Sequence, residues 1–338
     1  METDAKGATG GASAVPAVPL VIGKEQAEKV FGQYVWERRS AVDRREATGL
    51  DTVETGPLLA ESLAWIEVLR TRSSDEGWSA SFGKPEFLIP AEKDQPGYPR
   101  SFVTVSRNFA GTDQQRAGAV HYFVQEAPGA EWKATALSWV NERPAVAGKA
   151  VVSNEVNRFV LRDKEIAAVG RDAAGAVTLS STAGEDRKVC GRYAQYMSFT
   201  APDGEPESEH FVPGALTTEV VKAYNVAFDH LELVRKRYAF EVTGTELPVM
   251  RLADGKSLVT CSFVRTDHWK GKNATFTYGT RNLGDVAALI GGGDKWWRDT
   301  VVRRSVTVTF EVAPQGPADV VGSNALVAPP LSAEGTPK

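Results

Sequence analysis

The sequence predicts an α+β fold that is built twice. Two observations carry that prediction. Short stretches recur in the same order at nearly constant spacing, and within each copy helical periodicity comes first and strand alternation second. "KVFGQY" (29–34) returns as "KVCGRY" (188–193), "GPLLAE" (56–61) as "GALTTE" (214–219) and "RSFVTVS" (100–106) as "KSLVTCS" (256–262), at offsets of 159, 158 and 156 residues. A weaker match sets "VHYFVQ" (120–125) against "VTFEVA" (308–313) at an offset of 188. The jump of 32 places an insertion in the second copy, over residues 263–300.

Each copy opens on a helix. Ala27, Val30, Phe31, Tyr34 and Val35 recur at i, i+3, i+4, i+7 and i+8, and Val189, Cys190, Tyr193, Ala194 and Met197 make the matching stripe. Gly32 and Gly191 lie inside these helices at a cost of about 1 kcal/mol each, which predicts close packing against a neighbouring element. A second helical stretch carries Leu59, Leu63 and Ile66, answered by Val220, Tyr224, Ala227 and Leu231. Strands come next. "RSFVTV" alternates, with Val103 and Val105 on one face and Phe102 and Thr104 on the other. "AVHYFVQ" and "WKATALSWV" form a hairpin through "APGAE". "RYAFEV", "PVMRL", "KSLVTCSFV" and "SVTVTFEV" continue the pattern in the second copy, with "ADGK" as a turn. The expected organisation is a disordered tether over 1–23, domains over 24–165 and 186–328, a linker over 166–185 and a disordered tail over 329–338.

Composition excludes several functions. A net charge of −4 without a basic block argues against nucleic acid. No apolar run approaches the length of a membrane span. Two cysteines are too few for a disulfide scaffold or a zinc site, and four scattered histidines lack ligand spacing, so neither a metal nor a cofactor is expected. HExxH, GxSxG, the P-loop and GxGxxG are all missing. The missing motifs favour a non-enzyme and leave an enzyme as the alternative.

Helices followed by a curved antiparallel meander, found twice, resemble the NTF2-like (cystatin-like) α+β superfamily. "YPRSFVTV" (98–105) after "FLIP" (87–90), together with "VGRDAAGAV" (169–177), resembles a group of actinobacterial surface lipoproteins. The resemblance implies export and a lipid anchor at the cell surface, although the lipid-bearing cysteine is not in this sequence. A cytoplasmic protein with a flexible start is the alternative.

Three functions follow as expectations. The first is a non-catalytic surface protein that binds a protein or an envelope ligand. The second is a small-molecule enzyme or carrier using an NTF2-like cone, with Tyr34, Tyr193 and His121 as candidates. Against it, both tyrosines fill the core and His121 faces outward. The third is a structural spacer. The insertion is the favoured recognition surface, because Trp269, Trp296 and Trp297 lie near Gly291, Gly292 and Gly293, which could hinge a loop. The competing reading makes these tryptophans a plug. Finally, Phe31 and Val105 of the first copy align with Cys190 and Cys261, the two cysteines of the chain. If the helix lies on the Val103/Val105 face, the aligned positions touch and the cysteines form a disulfide, as opposed to two buried thiols.

Overall fold

A computed structural model describes residues 18–71, 82, 84–107, 117–141, 151–152, 160–161, 167–226, 233–244, 246–278, 284–292, 295–325 and 328–338. The first half begins with α1 (Lys24–Arg44), which buries Ala27, Phe31, Tyr34, Ala41 and Val42 along one side. It stops at Arg45, whose left-handed φ of 55° lets its N–H donate to the carbonyls of Ala41 and Val42. Next come α2 (Leu50–Val53), α3 (Gly56–Thr71) and the strands β1 (Glu86–Leu88), β2 (Arg100–Arg107), β3 (Ala117–Gln125) and β4 (Lys133–Asn141). These four strands form one antiparallel sheet in chain order. The short strands β5 (Val151–Val152) and β6 (Val160–Leu161) leave it and pair instead with the second sheet.

The second half contains α4 (Ala183–Asp186), α5 (Lys188–Tyr196), β7 (Phe199–Ala201), α6 (Thr218–Val226), β8 (Val234–Thr243), β9 (Met250–Arg251), β10 (Ser257–Gly271), α7 (Gly284–Leu289), β11 (Trp297–Val312), β12 (Asp319–Ser323) and β13 (Pro330–Pro337). Its nine-stranded sheet runs β5-β6-β12-β11-β10-β8-β7, with β13 added on β11 and β9 on β10. No helix among the described residues is long and apolar enough to cross a membrane.

The fold has four layers. On the first sheet, Phe102 and Phe123 meet Phe31, Tyr34 and Leu58 of the helices. The opposite face, with Val103, Val120, Tyr122 and Ala136, packs on Leu258 and Val321 of the second sheet. That sheet turns Val259, Cys261, Phe263, Val308 and Phe310 toward α5 and α6. The chain is thus helix, sheet, sheet, helix. A polar seam crosses the two sheets: the Tyr122 hydroxyl lies 2.6 Å from Thr260 Oγ1, Thr260 lies 2.9 Å from Thr309 and Thr309 lies 2.5 Å from Ser138 Oγ.

Several expectations change. The boundary drawn at 165 falls too late, because β5 and β6 belong to the second sheet. The start of the domain falls too late as well: Val21 and Ile22 are buried core residues, while residues 1–17 lie outside the described chain. The tail drawn as disordered is β13, hydrogen-bonded along β11 from Trp297 to Arg304. Strand pairing uses backbone groups, so a polar, proline-rich segment can still complete an edge. The insertion is largely a continuation of the β10–β11 hairpin, whose pairing runs unbroken from Ser257–Val312 to Lys270–Asp299. Gly32 and Gly191 are not close-packing sites, since a Cβ at either would meet nothing within 4 Å.

Candidate binding site between helix and sheet

Register decides what each interior contains. Val105 pairs with Val120 and Cys261 with Val308, so the repeated stretches hold the same places in the two hairpins. The faces differ. Val105 packs on the seam, whereas Cys261 faces the helices. A one-residue slip turns every side chain of a strand over. Aligned by face, Thr104 matches Cys261, His121 matches Val308 and Phe123 matches Phe310. These too are cross-strand pairs of one register: Thr104 with His121, Phe102 with Phe123 and Val259 with Phe310. The helices agree, for Tyr34 lies 5.6 Å from the Phe123 ring and Tyr193 lies 5.3 Å from the Phe310 ring.

The second interior is lined by buried side chains packed on one another. Cys190 and Cys261 are joined by a disulfide, with sulfurs 2.01 Å apart and Cα atoms 5.8 Å apart. Val105, the expected first-half counterpart of Cys261, faces the other way, and the residue that holds the helix-facing place of Cys261 in the first half is Thr104. Fully buried Tyr193 packs among Phe211, Phe263 and Phe310. Farther along the same strand face lies a buried ionic cluster. Asp267 accepts from Arg265 Nη2 at 2.9 Å and from Arg304 Nε at 2.8 Å, and Arg265 also donates to the Tyr224 hydroxyl and the Ala325 carbonyl. Arg265 and Arg304 are direct cross-strand neighbours, so Asp267 is what holds two like charges together. Beyond it Trp269, Tyr278, Trp297, Val286 and Ile290 close the end of the sheet. The Lys236 ammonium stands 4.7 Å from the Trp269 ring centroid, and burial lowers its pKa to about 8.

The three tryptophans therefore separate. Trp269 and Trp297 are plug residues, and Trp296 is 53 % exposed. Gly292 donates to the Ala287 carbonyl at 2.9 Å and ends α7; Gly293 lies outside the described residues.

The first interior is different. His121 was expected to face outward; it points inward and has no solvent exposure. Its ring stands against Phe82 (4.7 Å), Tyr34 (5.3 Å) and Phe31 (5.5 Å). Neither ring nitrogen has a hydrogen-bond partner among the described residues, and the same holds for Thr104 Oγ1 and Ser106 Oγ. Burial, with the nearby Arg38 charge, drives the His121 pKa down to about 3, so the imidazole is neutral. Deeper along α1, Arg38 Nη1 donates to the Tyr34 hydroxyl at 3.3 Å and to Glu54 Oε1 at 2.9 Å. Burial raises the pKa values of Glu54 and Glu61, and Arg38 opposes this in both. Arg38 and Glu54 were not among the sequence candidates. The signal was present: Arg38 sits four residues after Tyr34, on the apolar stripe of α1.

On the outer side of Phe31 lies a cleft of about 800 Å³. Its apolar floor is Leu20, Phe31, Pro85, Phe87 and Ile89, and its rim carries Lys24, Glu28, Lys84, Glu86 and Arg171. One wall is the turn in "RDAAGAV". Asp172 Oδ1 accepts from the N–H groups of Ala174 and Ala176, and Gly175 takes the φ of +85° that the turn needs. Arg171 crosses from this turn to Glu86 at 2.7 Å and to the Gly175 carbonyl at 2.9 Å. Phe31 is thus shared, lining the cleft with one side and touching His121 with the other.

Residues 17–328 match the model of a family described as a domain of unknown function (DUF8094). No curated protein matches the chain.

Proposed function

Since the chain belongs to the DUF8094 family, whose function is unknown, we propose from its geometry that it is an exported, non-catalytic binding protein that takes a small amphipathic ligand between helix and sheet in its first half. In this reading the chain is a tandem pair of NTF2-like modules that have diverged. One keeps a ligand site and the other has become structural. The observation that carries it is the contrast at equivalent positions. Where the second half has the disulfide-bonded Cys261 opposite Val308, the first has Thr104 opposite His121, buried behind Phe31 and without hydrogen-bond partners among the described residues. A buried polar atom without a partner costs about 1–3 kcal/mol, so such a group is normally satisfied by water or by a ligand. Four such atoms on one face describe a place built to be occupied.

Binding is favoured over catalysis because the acid and base groups already engage one another, Arg38 bridging Tyr34 and Glu54. Export is supported by the disulfide, which is a rare feature in reducing compartments. A lipid anchor at the cell surface goes with that reading.

The test is a titration with 8-anilinonaphthalene-1-sulfonate, an aromatic anion whose emission rises on leaving water. Wild-type protein is expected to show one saturable site. The variant Thr104→Leu/His121→Leu, which makes the first interior as apolar as the second, is expected to lose it while melting no lower than wild type. Unchanged stoichiometric binding by this folded variant overturns the proposal.

A further inference from the structure

We infer that the ligand is an anion, a flat or chain-like apolar carboxylate whose charged end rests between Lys24 and Lys84 while its apolar body enters past Phe31 toward His121. This inference rests on the binding role proposed above and adds the charge and orientation of what is bound.

The charge follows from the rim of the cleft. Arg171 and Glu86 neutralise one another at 2.7 Å. What remains is Lys24 and Lys84 against Glu28, and neither lysine makes an ion pair among the described residues. The excess is positive on a chain whose net charge is −4, so an anion finds an attractive mouth on a repulsive molecule. The start of α1 adds to it. This helix is 21 residues long and begins at the cleft, and its N-cap is Gly23, which offers no side-chain cap. The first-turn N–H groups therefore point at the cleft without a side-chain cap, and Glu25 in the first turn offsets only part of the positive end of the helix dipole.

The orientation follows from the floor. Phe31 and Phe87 meet edge to face at 6.4 Å, and Phe82 covers His121 from the same side. A ligand that displaces the Phe31 ring exchanges one apolar surface for another. It then meets a neutral imidazole that offers one donor and one acceptor, with Thr104 alongside. The far end of the ligand is thus read by hydrogen bonds, and the near end by charge.

The probes are three molecules of one shape: 1-naphthoate, 1-naphthalenemethanol and 1-naphthylmethylammonium. Calorimetric titration of the whole protein at pH 7 is expected to rank them anion, neutral, cation. Lys24→Glu/Lys84→Glu is expected to weaken naphthoate roughly tenfold or more, taking each exposed charge contact at up to about 1 kcal/mol, and to move the alcohol little. Equal affinity for all three, with the Thr104→Leu/His121→Leu variant binding none, overturns the anion preference and leaves the site standing. Equal affinity in that variant too, or no binding of any probe, overturns both. A naphthoate affinity unmoved by rim reversal refutes the orientation even if the ranking holds.

Discussion

Opening the disulfide tests the second half most directly. Cys190 and Cys261 lie 71 residues apart in sequence, and both are buried, one on α5 and one on β10. In the chain-entropy description, a cross-link closing about 71 residues removes roughly 15 cal/mol/K from the unfolded ensemble, or about 4 kcal/mol at 25 °C. That is a large share of the roughly 5–15 kcal/mol by which a protein is normally stable. Reduction isolates this term better than mutation does, because both sulfurs stay in place and no cavity opens. Thermal unfolding with and without reductant, followed by circular dichroism, is expected to show the reduced form melting roughly 10 °C lower, taking about 2–4 °C per kcal/mol. Alkylation of the unreduced protein in denaturant is expected to modify neither cysteine. Two alkylatable thiols, or a melting point within about 2 °C of the oxidised form, would refute the reasoning.

Other outcomes follow from the same geometry. Asp267→Asn leaves Arg265 and Arg304 opposed and buried, and is expected to cost about 3–5 kcal/mol in denaturant unfolding. Trp297→Ala empties the plug and is expected to cost about 3–5 kcal/mol, while Trp296→Ala stays within about 0.5 kcal/mol. Gly335→Val drives a side chain into the Asp299 carbonyl, 2.8 Å from the ideal Cβ, and is expected to detach β13; protease cleavage near residue 330 reads this out. For His121, the folded pKa of about 3 lies below the unfolded value of about 6.5. The unfolded chain therefore takes a proton the native state refuses, so this group's contribution is intact above pH 6.5 and shrinks as pH falls toward 3. Glu54 and Glu61, raised by burial, act in the opposite sense above the ordinary glutamate range. His121→Phe is expected to flatten the loss of stability between about pH 6.5 and 4, measured by urea midpoints.

The α+β class and the order of helices and strands were legible, because helical and strand periodicities stand in the sequence in that order. The aligned positions also pair alike, Val105 with Val120 and Cys261 with Val308. The facing of the strands was not legible. Sequence identity aligned Val105 with Cys261, but a strand has period two, and the match that keeps letters in line put opposite faces together. The same error turned His121 outward. Charged residues at inward positions were the missed warning: Arg265 and Asp267 continue the alternation of Val259, Cys261 and Phe263, and Arg38 interrupts the buried stripe of α1. β13 escaped because "PLSAEGTP" buries little of its own surface and contributes mainly backbone hydrogen bonds to an edge that β11 already provides.

The seam between the sheets has a consequence for how the chain is made. Tyr122 and Thr260 are 138 residues apart, and Ser138 and Thr309 are 171 apart. During synthesis the first sheet is complete long before its partner exists. Val103, Val120, Tyr122 and Ala136 then form an uncovered apolar face waiting for Leu258 and Val321. Such a face invites association with other chains, so the nascent first half is the aggregation-prone species and the last strands act as its cover. A fragment ending before α5 should be insoluble although its own helix and strands are intact. Selection must then act on the pair as one unit, because neither half can be shed, exchanged or transplanted without exposing what the other conceals.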